Sequence, residues 1–126
     1  MKIDVTAPPR AFMVGRRASV ELKDCGRIAL GSEELVTFVT PAGGEFDVTA
    51  KSWGFHATPS TNARLARFGL RTVLVLNSKG HLFVLLVERG QEAGFQAYID
   101  DEQLRVLAWL DDDAAVSALE RCLTRY

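Results

Sequence analysis

The chain has 126 residues, of which 48% are hydrophobic and 25% charged, with a formal net charge of -1. This balance is typical of one globular domain, and it excludes intrinsic disorder, which requires few apolar residues and a large net charge. Residues 1–71 carry 10 Lys and Arg against 7 Asp and Glu, while residues 72–126 carry 5 against 9. Since Arg16-Arg17 is the only basic doublet, we predict no nucleic-acid partner, and we expect the opposite charges to meet within the fold or between subunits.

The cysteines and the amino terminus indicate the compartment. Cys25 and Cys122 form no Cys-x-x-Cys motif, which predicts reduced thiols rather than a disulfide framework. An acid and two prolines interrupt residues 1–9, where a signal peptide has an apolar core, and no later window approaches about 18 apolar residues. We therefore expect a soluble cytoplasmic protein with no membrane partner.

The first half of the chain predicts short strands. Residues 1–12 contain Pro8 and Pro9, which favour an amino-terminal arm or an edge element. Alternation in residues 20–22 and 28–30 predicts two short strands joined by a tight turn at residues 23–27. Residues 35–40 and 46–48 flank the turn sequence of residues 41–44, which predicts a hairpin.

The second half predicts a more buried sheet. Residues 72–76 and 82–87 are continuous apolar runs around a glycine-containing turn, and such strands are covered on both faces. We expect helices on one face and either the amino-terminal strands or a second subunit on the other. Residues 104–110 predict a further strand or, alternatively, a continuation of the preceding helix. Helices are predicted at residues 59–68, 91–103 and 113–125. The sequence thus predicts a single compact α+β domain over residues 1–126, mainly an antiparallel sheet of six or seven strands with three helices, the last one C-terminal.

The segment from Lys51 to Gly69 holds the densest mixture of aromatic, polar and basic residues. Trp53 and Phe55 flank Gly54, and an aromatic pair around a glycine can form a platform for a sugar ring or a base. The alternative is that both rings share the core face of a strand, which places them in the core. His56 would then point to the opposite face, either as a general acid or base or as a hydrogen-bonded structural residue.

Thr58-Pro59 is typical of a helix start, because the hydroxyl can cap the helix and proline at the first helical position removes no needed donor. Free backbone donors and nearby arginines can hold a phosphate or a carboxylate there. In the alternative interpretation Thr58 or Ser60 only caps the helix and the arginines are solvated. The candidate ligand-binding residues are Trp53, His56, Ser60, Thr61, Asn62, Arg64 and Arg67.

The cysteines, the acidic runs and the glycines give weaker indications of a functional site. Cys25 lies between Lys23 and Arg27, a setting that can activate a thiol, whereas Cys122 is expected to pack on the apolar side of the last helix. The acidic runs at residues 100–102 and 111–113 fit a solvated face and a helix cap, so no metal site is predicted. The glycines form no phosphate-binding string, and no cofactor is predicted.

These observations favour a small accessory or interaction protein that self-associates into a homo-oligomer and has no catalytic motif. A first alternative is a module that binds a small anionic ligand, such as a phosphorylated sugar or a nucleotide, near Thr58 to Arg67. A second is a small enzyme that uses His56 as acid or base.

Overall fold

The computed structural model describes residues 1–124 and has an α+β fold, as predicted. The strands are β1 (Lys2–Val14), β2 (Val20–Ala29), β3 (Leu35–Val39), β4 (Glu45–Lys51), β5 (Gly54–His56), β6 (Leu70–Leu76), β7 (Leu82–Glu88) and β8 (Arg105–Trp109). The helices are α1 (Arg64–Arg67), α2 (Glu92–Glu102) and α3 (Asp113–Leu123). The described residues thus form eight strands rather than six or seven, because the amino-terminal segment and residues 54–56 both pair as strands.

The strands form three antiparallel sheets rather than one. β1 and β2 make a two-stranded hairpin, which we call the arm (residues 2–29). β3, β4 and β5 form a second sheet in chain order, and β6 lies between β7 and β8 in a third.

The core lies between the third sheet and α2. Val73 and Val75 of β6 are fully buried, and Val87 and Ile99 are nearly so. Alternate residues of a strand point to opposite faces, so Val73 and Val75 share the face that α2 covers. Five half-buried residues complete this cluster: Leu85, Phe95, Leu104, Val106 and Trp109.

The opposite face of β6 is buried at its amino-terminal end. Leu70 and Thr72 are 3% and 1% exposed, and Leu65 of α1 is completely buried. β6 is therefore covered on both faces there, as its continuous apolar sequence predicts. This packing explains why a helix as short as α1 is retained.

Several predicted elements are confirmed. The β3–β4 and β6–β7 hairpins and strand β8 lie where the sequence places them, as do α2 and α3. Asp112 caps α3 by accepting a hydrogen bond from the backbone N–H of Ala114 at 2.9 Å. Residue 125, the predicted end of this helix, lies outside the described residues. Within residues 1–124, no helix has the length and apolar character needed to cross a membrane.

Two predicted boundaries are wrong. Residues 23–27 are not a turn, because β2 runs without a break from Val20 to Ala29 and pairs along most of β1. The first helix does not begin at Pro59, because only Arg64–Arg67 are helical.

Opposite charges from the two halves of the chain meet within the fold. The backbone N–H of Arg16 donates to Glu102 Oε2 at 2.7 Å, and Arg17 Nε lies 3.4 Å from Asp101 Oδ1. Both contacts fix the turn of the arm to the carboxyl end of α2.

A second contact of this kind lies at Arg71. Its Nε donates to Asp111 Oδ2 at 2.7 Å, and its guanidinium lies 4.2 Å from the ring centre of Trp109. The hydrogen bond to Asp111 is the main cause that raises the pKa of Arg71. This contact ties β6 to the connection between β8 and α3.

Candidate functional site

Trp53 and Phe55 lie at the exposed edge of the second sheet, Trp53 in the turn between β4 and β5 and Phe55 on β5. Trp53 and Phe55 are 71% and 60% exposed, so their predicted place in the core is wrong. The reason is that β5 has three residues and pairs only with β4, and no other element covers its side chains. The exposure of both rings agrees with the alternative interpretation, in which they form a binding platform. No described residue stacks on either ring.

His56 and Cys25 lie in different sheets. His56 pairs with Thr49 along β4 and is exposed, and its imidazole makes no side-chain hydrogen bond to any residue from 1 to 124. Cys25 lies in the arm, where its Sγ donates to the Lys23 carbonyl at 3.5 Å. Cys122 is exposed rather than packed, because α3 completely buries none of its described residues. The two candidate catalytic groups therefore do not form a nucleophile–base pair.

The start of α1 is held by Ser60. Its Oγ accepts a hydrogen bond from the backbone N–H of Arg64 at 2.8 Å, while Ala63 occupies the cap position without a side-chain bond. This agrees with the capping alternative of the sequence analysis, which named Ser60 beside Thr58. A four-residue helix has almost no macrodipole, so its amino terminus adds little attraction for an anion.

Three further candidate residues bind other parts of the chain. Thr61 Oγ1 donates to the Leu110 carbonyl at 2.9 Å, and Asn62 Nδ2 donates to Asp113 Oδ1 at 3.0 Å. Arg64 Nη2 donates to Asp47 Oδ2 at 2.6 Å. These contacts hold the segment against the β8–α3 connection and against β4, which is a structural role.

Arg67 is the remaining basic residue of the predicted site. Within the described chain, no carboxylate lies within 4.0 Å of its guanidinium or of that of Arg89. Both arginines line two adjoining concavities of about 360 and 500 Å³, which meet at Gly69. Arg89 Nη2 also donates to the Ala66 carbonyl at 3.1 Å, which fixes its side chain over α1. The structure thus brings Arg67 together with Arg89, a residue that the sequence analysis did not select.

The sequence signal for Arg89 was too weak to select it. It follows Glu88 at the end of β7 and has no other basic residue near it in the sequence. Its position beside Arg67 depends on the hydrogen bond from its backbone N–H to the Gly69 carbonyl at 2.8 Å, a contact between residues 20 positions apart.

The arm has one apolar face. Residues that oppose each other in an antiparallel pair lie on the same face, and Ile3 pairs with Ile28 while Phe12 pairs with Leu22. A register shift between Val5 and Arg10 keeps the apolar residues of both halves of β1 on that face. The apolar face of the arm comprises Ile3, Val5, Phe12, Val14, Val20, Leu22 and Ile28.

The opposite face of the arm is mostly polar or small. It comprises Lys2, Asp4, Ala11, Met13, Glu21, Lys23, Cys25, Arg27 and Ala29. This alternation is typical of a sheet with one covered face and one solvated face. In the structure the apolar face is uncovered: Ile3 is 55% exposed, Val5 75%, and Leu22 and Ile28 about half. The sequence analysis missed this face because it placed a turn at residues 23–27.

Strand β7 is also less covered than its sequence predicts. Leu82, Phe83 and Val84 are 57%, 44% and 58% exposed, whereas Val87 is 5% exposed. β7 is an edge strand, and α2 covers only one of its faces. The arm leaves Leu82 and Val84 exposed. Of the two alternatives for covering this face, the amino-terminal strands therefore do not cover the first half of β7, residues 82–84.

Comparisons with protein-family models, with curated proteins and with solved structures find no match for this chain. Within residues 1–124, no group of three or more His, Cys, Asp or Glu side chains is arranged to hold a metal ion. The candidate functional surfaces are therefore the arm, the exposed half of β7 and the concavity between Arg67 and Arg89.

Proposed function

We propose that this chain is a self-associating interaction protein, and that the apolar face of the arm packs against a second copy. The observation that carries the proposal is the exposed area. The chain exposes 8932 Å², whereas a folded monomer of 13.9 kDa exposes about 6,700 Å². A surplus of this size is expected for a subunit taken out of an assembly.

The construction of the arm supports this proposal. A two-stranded hairpin alone is at best marginally stable in water, and a third strand or a packed partner is needed to stabilise it. The arm is fixed at its turn by Asp101 and Glu102 and at its other end by the contact of Met1 with Glu34. Between these ends, its apolar face has no cover in the described chain. A partner subunit would supply that cover.

The size of the face suits a two-fold pair. Its apolar side chains expose on the order of 500 Å² per copy, so a symmetric pair buries on the order of 1,000 Å², the lower bound for a specific interface. The exposed half of β7 adds further apolar area. Together they exceed what an ordinary monomer leaves uncovered.

The charges on the face favour a second copy over a charged partner. Arg10 and Asp24, one cation and one anion, lie among the apolar residues on the same side of the arm, and their side chains are 3.4 Å apart. The net charge of this side is therefore zero. A two-fold axis that runs along the strands, between β1 and β2, would place each Arg10 near the Asp24 of the other copy and keep like charges apart.

The test compares two lysine substitutions on opposite faces of the arm. Leu22 is 45% exposed on the apolar face, and Met13 is 52% exposed on the polar face. Light scattering and sedimentation equilibrium are expected to give a dimer or larger for the wild type. Because Leu22→Lys buries a charge twice in a symmetric interface, it weakens association by about 100-fold or more. Met13→Lys is the matched control and changes the association constant by less than about threefold.

Circular dichroism checks that both variants keep the fold. A wild type that remains monomeric at about 100 μM contradicts the proposal, since a functional assembly would be populated there. Equal effects of Leu22→Lys and Met13→Lys would also contradict it, because the two faces would then be equivalent.

A second candidate function is the binding of a small anion between Arg67 and Arg89. Two guanidinium groups with no carboxylate within 4.0 Å in the described chain favour this candidate, and Glu88, which also lines the concavity, already accepts hydrogen bonds from Thr40 and Gly44. Titration with inorganic phosphate, followed by amide NMR, is expected to shift the signals of Gly69 and Arg89 to saturation. Arg67→Gln weakens this binding by about fivefold or more, and Arg27→Gln on the arm leaves it unchanged. Equal affinity of wild type and Arg67→Gln would exclude this site.

A further inference from the structure

A cavity of about 470 Å³ lies where the turn of the arm meets the third sheet. It is lined by apolar residues of the third sheet and by polar residues from three other parts of the chain: Arg16 from the turn, Asn77, Ser78, Lys79 and His81 from the β6–β7 loop, and Tyr98 and Glu102 from α2. The volume falls within the range of small-molecule sites. This cavity is distinct from the concavity between Arg67 and Arg89, with which it shares no lining residue.

The floor of the cavity is apolar and its walls are aromatic. Val75, Leu85 and Leu104 form the floor and belong to the core or pack on it. Phe83 and Tyr98 line the walls and are 44% and 48% exposed. Exposed rings beside a buried aliphatic floor favour a ligand with a flat apolar body.

The polar lining of the cavity carries two cations and one anion. Arg16, Lys79 and His81 line it, and Glu102 is the one acidic residue in the described lining. The Glu102 carboxylate already accepts a hydrogen bond from the backbone N–H of Arg16. The local charge therefore favours an anionic group on the ligand.

The Arg16 side chain and the backbone of the β6–β7 loop are held in place by the chain itself. Arg16 Nε donates to the Asp101 carbonyl at 2.9 Å, and the terminal nitrogens of its guanidinium have no ion pair in the described chain. Asn77 Oδ1 accepts from the backbone N–H groups of Lys79 and His81 at 3.0 and 2.9 Å, which orders the loop. A site whose backbone is ordered before binding loses less entropy when the ligand arrives.

We infer that this cavity binds a small amphipathic anion, a molecule with a flat apolar body and one carboxylate or phosphate group. The apolar body lies on Val75 and Leu85 between Phe83 and Tyr98. The anionic group faces Lys79, His81 and the free end of Arg16. Each copy holds a complete site, so the inference does not depend on the proposed self-association.

The test uses phenylacetate and phenyl phosphate as probes, with inorganic phosphate and benzyl alcohol as controls. Both aromatic anions are expected to shift the amide signals of residues 78–81 and Tyr98 and to saturate with a Kd of about 1 mM or lower. Neither control saturates these signals over the same range, since each lacks half of the required chemistry.

Two substitutions separate the charge from the aromatic wall. Lys79→Gln lowers the affinity for both aromatic anions by about fivefold or more, because it removes a cation from the edge of the cavity. Tyr98→Ser lowers the affinity to a similar extent, because it removes the aromatic ring that α2 contributes to the wall of the cavity. Lys23→Gln, on the polar face of the arm, is the matched control and leaves the affinity unchanged.

Three outcomes would overturn the inference. One is the absence of saturable shifts for either aromatic anion up to about 20 mM. A second is inorganic phosphate binding as tightly as phenyl phosphate, which would leave the apolar floor without a role. The third is unchanged affinity in both Lys79→Gln and Tyr98→Ser.

Discussion

Gly26 decides whether the two strands of the arm can approach each other. Its φ is +144°, and a Cβ at this position would overlap the main-chain oxygen of Asp4 and lie 3.1 Å from Val5 Cα. Gly54 has the same φ of +144°, but a Cβ there meets nothing within 4 Å. A substitution at either glycine imposes the same backbone strain, but only one at Gly26 also disturbs a close contact between strands. Comparison of the two substitutions therefore distinguishes the two effects.

We predict that Gly26→Ala opens the half of the arm that residues 2–5 and 26–29 form, whereas Gly54→Ala does not. The overlap adds at least about 1 kcal/mol to the strain that both substitutions impose. Hydrogen exchange of the amides in residues 2–5 and 26–29 is the measurement, because the arm can open without global unfolding. Exchange should be about tenfold faster in Gly26→Ala than in Gly54→Ala. Equal exchange in the two variants would contradict the prediction.

The candidate site shows how far single residues can be interpreted from sequence. Ser60, Thr61 and Asn62 are predicted to face solvent or a ligand, but in the structure each makes a hydrogen bond within the chain. Their type does not reveal their partners: Thr61 and Asn62 bind residues 49 and 51 positions away. Because these partners come from the β8–α3 connection, only the folded chain distinguishes a structural contact from a free ligand group.

At the scale of elements, local patterns predict those whose signals are strong. The turn sequence of residues 41–44 defines the β3–β4 hairpin, and Asp112 marks the start of α3. The apolar runs of β6 and β7 are long enough to be recognised without their neighbours. These elements are confirmed because their signals lie within the segments themselves.

The wrong elements are those in which tertiary contacts override a local signal. Residues 23–27 have the polar composition of a turn, but pairing of Asp4 with Arg27 and of Arg10 with Asp24 continues the strand through them. Thr58-Pro59 has the composition of a helix start, but the contacts of Thr61 and Asn62 hold the chain in another path. Propensity is a weak signal when the competing contacts are long-range.

Burial is harder to predict than secondary structure for the exposed elements. The runs of β6 and β7 are similarly apolar, yet β6 is central and β7 is an edge strand. The same holds for Phe55, whose strand lies at an edge, and for Trp53, which lies in the turn before that strand, although their alternation fits a core face. Strand order depends on which segments meet, and periodicity within one segment does not contain that information.

For the whole molecule, the exposed area and the sequence lead to the same expectation. The sequence analysis requires either the amino-terminal strands or a second subunit to cover the apolar sheet. In the structure the amino-terminal strands form the arm, which leaves part of β7 exposed and has an uncovered apolar face of its own. If a second copy covers these surfaces, the stability of the fold depends on the concentration of the chain.

We predict that the melting temperature rises with protein concentration. For a dimer whose unfolded chains are separate, a rise of about 100-fold in concentration stabilises the folded state by about 2.7 kcal/mol. The midpoint should therefore increase by several degrees between dilute and concentrated samples followed by calorimetry. Leu22→Lys should abolish this dependence, because its subunits no longer share the apolar face, while Met13→Lys should retain it. A wild-type midpoint that is independent of concentration would mean that the arm is stable without a partner.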